Sequence, residues 1–405
     1  MRKTVPVAEL EFGMYVAELD RPWTETPFKF QGFFLQSAEQ LETLKKFCKT
    51  VLVDPDRQEI LERLPQLAPG AAKSAVDLAR TGRTKYAELA PVEQEYTKAS
   101  ATHAAGAATV QDALAALRAG KTLEADRVNE AVNGISESVM RNADAMLLFT
   151  QLRQKGDYAQ SHALDSSVYM TAFGRFLEMP PEDIRLLGHL GLLQDIGKVR
   201  LADELIQKRE RLSREEFDLA KSHVQHSAEI LKATPGLPAT LAELALLHHE
   251  RHDGSGYPKG LRGRDIGLMG SIAGIVDVFD ALTMRRPYGE PVAPSTALSM
   301  IYKWRGTLFD AYLVEQFIRF VGIFPLGSVV ELNSGEVGIV IGQSLERRLQ
   351  PRIMVIRDAN GNPLKPQKLM DLSRGHQLAS GEPYRIRRTL EYGRIPATAE
   401  NLFSS

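Results

Sequence analysis

The run His248-His249-Glu250-Arg251-His252-Asp253-Gly254-Ser255-Gly256-Tyr257-Pro258 puts three histidines within five residues and follows them with a glycine-rich turn. The apolar residues before it (Leu241, Leu244, Ala245, Leu246, Leu247) predict a helix, on which adjacent histidines stand about 100° apart. Two imidazoles so placed can address two atoms of one site, which suits a metal cluster better than a packed core. The glycines then end the helix and let backbone come close to whatever binds there. Such a run needs ligands from elsewhere, so the fold must bring distant segments to it.

At 405 residues the chain exceeds one ordinary core, and two or three domains are expected. Apolar content of 43% with 25% charged residues is that of a globular protein. A formal net charge of -1 argues against a general polyanion binder, so no nucleic-acid polymer is expected as a partner. The lone cysteine, Cys48, excludes an internal disulfide framework and fits a reducing compartment. It follows Leu41, Leu44 and Phe47 at helical spacing and reads as a small core residue. There is no charged-then-apolar signal at Met1, and no apolar run reads as long enough to cross a bilayer. A cytoplasmic protein with no membrane partner is the expectation.

Residues 1–64 read as a small N-terminal α+β domain. Strands are expected at Val5-Pro6-Val7, at Met14-Tyr15-Val16-Ala17, over 28–35 and at Thr50-Val51-Leu52-Val53-Asp54, with a helix over 39–49 capped by Ser37. Residues 65–109 are rich in Ala, Pro, Gly and charge and read as a partly helical linker, which places His103 in solvent. Helical spacing returns over 110–156 as connecting helices. Residues 157–325 hold most of the histidines in a succession of apolar helical patterns with short joints, the signature of an all-α domain. Residues 326–405 carry strand patterns at 327–332, 337–341 and 352–356 and a turn cluster at 358–363. The expected fold class is therefore multidomain and mainly α. A helical bundle is flanked by a small N-terminal α/β domain and a small C-terminal β-rich appendage. The basic stretch 347–352 reads as a solvated loop.

Five points in the helical region can be read together: His162, the pair Gln194-Asp195, His223, the pair His248-His249, and Asp277. Each sits in or beside an apolar helical pattern, so separate helices can project them to one centre. Imidazole suits Fe, Mn and Zn, and a carboxylate can bridge two ions. Two metals about 3.5–4 Å apart would clamp a phosphate and activate a bridging water for in-line attack. Satisfying this many buried polar groups without a metal would be hard.

These residues resemble the motifs of the HD-GYP family, a branch of the HD hydrolases. The resemblance covers residues 158–325. It rests on Asp195-Ile196-Gly197-Lys198, on His223 ahead of a helix, on the run from His248 to Pro258, and on Asp277-Val278-Phe279-Asp280-Ala281-Leu282-Thr283 followed by Arg286-Pro287-Tyr288. It implies a helical bundle with a two- or three-metal site that hydrolyses cyclic di-GMP, a bacterial second messenger, to pGpG or GMP. The first sixty residues look like the uncharacterised domain that often precedes such modules. Carried over, Asp195 is the bridging carboxylate; His223, His248 and His249 complete one metal site, and His162, Gln194 and Asp277 serve the other. Lys198 and Arg286 would contact phosphate, and the Gly256-Tyr257-Pro258 loop would lie over the site. The family also implies contact of that loop with GGDEF-type or other signalling proteins, and it is compatible with a homodimer.

Three departures stand out. Gln194 replaces the family's motif histidine, and an amide oxygen is a poorer ligand than imidazole, so its site should be weakened. Gly289 stands where a basic residue is often found. Tyr158 stands where some members carry a glutamate for a third metal. Two divalent ions at most are therefore expected, Fe or Mn. The departures also keep open a catalytically weak module that acts as a cyclic di-GMP receptor or a protein-interaction module. Among the remaining residues, His189 reads as a hydrogen-bonded core histidine, and His226 and His252 as solvated neighbours. Asp280 reads as a support behind the ligands, and Glu250 as a partner of a ligand histidine or an arginine.

Overall fold

The computed structural model describes residues 3–10, 14–21, 26, 33–35, 38–53, 84–153, 157–208, 210–284, 291–344, 347, 349–390 and 402. The chain forms two compact units, Met1–Lys73 and Ser74–Ser405. In the first, strands β1 (Lys3–Pro6), β2 (Tyr15–Leu19), β3 (Phe33–Phe34) and β4 (Thr50–Val53) form an antiparallel sheet in the order β1-β4-β2-β3, and helix α1 spans Ala38–Phe47. Val7, Val16, Leu35, Leu44, Val51 and Val53 make its core. Cys48 belongs to that core, and burial together with Asp20 pushes its thiol up to about 11. The expected cap Ser37 lies outside the described residues.

The second unit opens with α2 (Val92–Arg118), α3 (Ala125–Arg141) and α4 (Ala143–Leu152). Helix α2 runs without a break through the residue 109 boundary expected for the linker. Its buried face is Val92, Tyr96, Ala99, His103, Gly106 and Val110, spaced four and three residues apart. That stripe is helical but built largely of small residues, so the sequence shows little apolar contrast. His103 is accordingly buried with its ring 5.1 Å from that of Phe149, which corrects its placement in solvent.

The bundle continues with α5 (Tyr158–Phe176), α6 (Pro181–Leu193), a 3-10 turn (Ile196–Arg200), α7 (Asp203–Ile206), α8 (Arg214–Lys221), α9 (His223–Lys232), α10 (Leu241–Ala245), α11 (Gly267–Thr283), α12 (Pro294–Lys303) and α13 (Ala311–Val321). Helix α5 is buried on all sides from Ser161 to Gly174. The stretch Gly263–Thr283, 21 residues with a hydropathy of 1.6, is long and apolar enough to cross a membrane by length and composition. This corrects the expectation that no run is long enough. In the fold it forms much of the core, with Ile272, Ala273, Ile275, Val276 and Phe279 fully buried, and it carries Asp277 and Asp280 inward.

The C-terminal strands are β5 (Val329–Leu332), β6 (Val337–Gly342), β7 (Arg352–Arg357), β8 (Pro363–Asp371) and β9 (Ile386–Thr389), in an antiparallel sheet of order β8-β7-β6-β5-β9. The sequence pattern had no strand signal for the mostly polar β8 and β9. The sheet shares one hydrophobic cluster with the bundle, Val330, Ile339, Ile341 and Val355 belonging to the same core as Phe173 and Phe317. The Gln343 N–H also donates to Asp144 Oδ2 of α4 at 2.9 Å.

Candidate metal centre

Asp157 caps α5, its side chain accepting from the Gln160 N–H at 3.1 Å, and His162 follows one turn in, 3% exposed. The His162 Nδ1 lies 2.6 Å from Asp280 Oδ2. A carboxylate only accepts, so Nδ1 carries the proton. Nε2 then faces two carboxylates, 3.1 Å from Asp195 Oδ2 and 3.2 Å from Asp277 Oδ1. Asp277 and Asp280 sit three residues apart on α11 and so share one face.

Asp195 is placed by the turn that ends α6. Gly197 in the following 3-10 turn packs against α9 so closely that a Cβ there would lie 2.2 Å from the His223 carbonyl oxygen and 2.3 Å from the Ser227 nitrogen. Its N–H donates to Ser227 Oγ at 2.8 Å. This contact explains the glycine of the Asp195-Ile196-Gly197-Lys198 motif, since it joins Asp195 to the helix that starts at His223. Lys198 Nζ is 2.7 Å from Asp195 Oδ2.

His223 and His248 are oriented the same way. The Nδ1 atoms lie 2.6 Å from the Ala220 carbonyl and 2.8 Å from the Ala245 carbonyl, so both Nδ1 atoms are protonated donors. Each Nε2 is left as a lone pair. The two Nε2 atoms lie 3.4 Å apart, and Asp195 Oδ1 lies 3.2 Å and 3.5 Å from them. Three acceptors converge with no proton among them, which is a ligand field for a cation. Asp195, His223, His248 and His249 each offer an atom within 4.8 Å of the others, as do His162, Asp195 and Asp277. Asp195 is common to both groups.

The charges fit the geometry. Burial alone would raise the Asp195 pKa, but the Lys198 ammonium, 2.7 Å away, and the neighbouring His162 hold it well below the usual carboxylate range. Burial likewise acts against ionising Asp277, and His162 and His249 overcome it. Burial and neighbouring His248 hold His249 well below the ordinary histidine value, which keeps its imidazole neutral. Burial opposes the charge on Lys198, and Asp195 outweighs it.

His248 and His249 lie in a turn just beyond α10, not on the expected helix. From this turn both imidazoles offer a nitrogen within 4.8 Å of an Asp195 oxygen. Glu250 does partner an arginine, but through its backbone carbonyl, which accepts from Arg251 Nη1 at 2.9 Å; its carboxylate accepts the Lys259 N–H at 2.7 Å and the Leu261 N–H at 2.8 Å, closing the glycine loop. Within that loop a Cβ on Gly256 would meet the Arg251 nitrogen at 2.3 Å, so only glycine fits. Tyr257 donates its N–H to the His249 carbonyl, and its ring lies 4.8 Å from the His249 ring. Tyr158 stacks flat on His162, 5.7 Å between centroids.

Gln194, the C-cap of α6, is 1% exposed, and neither amide atom has a hydrogen-bond partner among the described residues. Arg286 and Gly289 lie outside the described residues. His189 is the expected core histidine, its Nδ1 2.9 Å from the Arg185 carbonyl and its Nε2 2.8 Å from Asn129 Oδ1. His226 and His252 stay outside both ligand groups. The orienting carbonyls of Ala220 and Ala245 were invisible to sequence reading, because backbone acceptors carry no residue signal.

A helical bundle that converges buried histidines on a shared aspartate defines an HD-type metal-dependent hydrolase domain, and residues 144–313 match the HD domain family. Residues 2–128 match a domain of unknown function, DUF3391, and residues 329–378 a KOW domain associated with the HD domain. The chain is 33% identical over 379 residues to a cyclic di-GMP phosphodiesterase of Pseudomonas aeruginosa, covering 93% of this chain and 90% of that protein. A cyclic di-GMP phosphodiesterase of Thermotoga maritima is 41% identical over 128 residues, 31% of this chain and 35% of its own. A 3'3'-cGAMP-specific phosphodiesterase of Vibrio cholerae is 32% identical over 164 residues, 40% of this chain and 31% of its own. The chain belongs to the HD-GYP family.

Proposed function

We propose that this protein is a metal-dependent phosphodiesterase that hydrolyses cyclic di-GMP to pGpG or GMP. The observation that carries this reading is the convergence of the two Nε2 lone pairs of His223 and His248 on Asp195 Oδ1. The donor set of three imidazoles and a carboxylate fits a divalent transition metal, Fe or Mn. Asp195, His223, His248 and His249 would hold one ion. His162, Asp195 and Asp277 would hold a second, with the Gln194 amide a weak further ligand. Bound there, such ions neutralise phosphate charge and make water acidic enough to attack near neutral pH.

Hydrolysis places a water oxygen on phosphorus and breaks the bond to one ribose oxygen, which leaves with a proton. Lys198, held at the centre by Asp195, supplies positive charge to the phosphate oxygens as their charge builds. Arg286 is a second phosphate contact in this reading. Tyr257 covers one side of the site, its ring 4.8 Å from that of His249. Cyclic di-GMP is an intracellular messenger, so the working compartment is the cytoplasm. The exposed Ser255, Pro258 and Lys259 give the same loop a face for GGDEF-type or other signalling proteins.

The test is turnover of cyclic di-GMP by purified protein loaded with Mn or Fe, with metal content measured on the same sample. Conversion to pGpG or GMP, abolished by Asp195→Asn, is expected. Absence of turnover with every divalent metal tried would overturn the assignment.

A further inference from the structure

Beside the metal centre, Tyr257 is joined by two side chains that the mechanism does not use, Phe217 and Lys221. Helix α8 starts at a capping box, Ser213 accepting from the Glu216 N–H while Glu216 accepts from the Ser213 N–H. That start sets the helix in register and puts Phe217 and Lys221, four residues apart, on one side. Phe217 is 47% exposed, a large aromatic left in water on a helix with no buried residue. Its ring meets Tyr257 edge-on, with centroids 6.3 Å apart at 83°. The Lys221 ammonium lies 4.6 Å from the Phe217 centroid and 5.6 Å from that of Tyr257.

This group is continuous with the centre. Tyr257 packs on His249 at 4.8 Å, and His249 on His223 at 5.1 Å. A path of rings therefore runs from the metal ligands out to a half-exposed aromatic face. With one phosphate of a cyclic dinucleotide at the centre, a base reaching along this path meets Phe217 and Tyr257 as stacking surfaces. Lysine donates to the O6 and N7 acceptors of guanine, whereas adenine turns an amino donor toward it at position 6. The bond from Lys221 to Asp218 Oδ1, at 2.8 Å, is exposed and weak enough to be shared with a ligand.

We infer that Phe217, Tyr257 and Lys221 form a guanine-recognition subsite, Phe217 holding the base by stacking and Lys221 reading its O6 and N7 edge. The inference rests on the phosphodiesterase reading and deepens it. Base choice is where relatives differ, since their names specify cyclic di-GMP in some and 3'3'-cGAMP in others.

The experiment compares KM and kcat for cyclic di-GMP, 3'3'-cGAMP and cyclic di-AMP in the metal-loaded full chain. Phe217→Ala should raise KM for cyclic di-GMP about tenfold or more with a much smaller change in kcat, and Phe217→Tyr should restore it. Lys221→Met should cut the preference for cyclic di-GMP over cyclic di-AMP by about tenfold. A KM within about twofold of wild type in Phe217→Ala, or an unchanged base preference in Lys221→Met, overturns the subsite while leaving the enzyme assignment intact. No turnover by the wild type overturns both.

Discussion

His223 and His248 point nitrogen at nitrogen, their Nε2 atoms 3.4 Å apart, while each ring's other nitrogen is tied to a backbone carbonyl. Neither ring can turn its N–H inward without giving up that bond. The pair is therefore electrostatically unfavourable alone and favourable around a cation. Binding to the folded state only, metal at about a thousandfold over its Kd stabilises by about 4 kcal/mol. Stripping with a chelator should lower Tm and readding Mn should restore it, followed by calorimetry. A Tm indifferent to both would contradict the ligand assignment.

Asp280 holds the proton side of His162 at 2.6 Å and so aims Nε2 at Asp195 and Asp277. Removing a carboxylate that orients a ligand histidine lowers metal affinity or activity by roughly 10–100-fold. Asp280→Ala should show that loss in a metal titration and in kcat at limiting metal. Full affinity in this variant would mean that packing alone orients the ring.

The buried Gln194 amide has no partner among the described residues. An unsatisfied buried amide costs about 1–3 kcal/mol, so Gln194→Met should stabilise chelator-stripped protein by an amount of that order. The same variant should retain less metal, and Gln194→His should retain more. Urea unfolding and elemental analysis measure the two effects separately. If Gln194→Met keeps its metal unchanged, the amide plays no part in the second site.

Burial disfavours a charged His162, but Tyr158 and the carboxylates of Asp195, Asp277 and Asp280 carry its pKa well above the ordinary 6.5. The unfolded chain binds that proton less tightly, so this contribution to stability is complete below pH 6.5 and is lost as pH rises through the folded value. Stripped protein should therefore lose stability above pH 6.5, and His162→Gln should flatten the slope. Metal must displace the same proton, so metal affinity should rise over that window. Isothermal titrations at several pH values check this, and a pH-independent affinity would refute it.

The candidate ligands were legible because their side chains are chemically unusual in apolar helical surroundings. His162, Asp195, His223, His248, His249 and Asp277 all meet at one centre. The strands of the first unit and β5 to β7 were legible from their alternation and turn residues. The buried stripe of α2 was not, since Ala99, His103 and Gly106 stand where large apolar residues would announce a core face. Gly106 is needed there because a Cβ would lie 2.9 Å from Leu164 Cδ2. Nor was the role of the Glu250 carboxylate legible, because its partners are the backbone N–H groups of Lys259 and Leu261, which have no letter in the sequence.

The sequence by itself determined which atoms are available: imidazoles, carboxylates, one lysine and glycines at Gly197 and Gly256 where backbones must touch. Only the tertiary structure decided which nitrogen of each histidine faces inward and which aspartate is shared. It also decided that Phe217 and Lys221 stand at the rim. The reason is that lone-pair direction depends on neighbours far away in the chain, as with His162 and Asp280, 118 residues apart. Residue identity sets the chemistry, and the fold sets where its charge and lone pairs point.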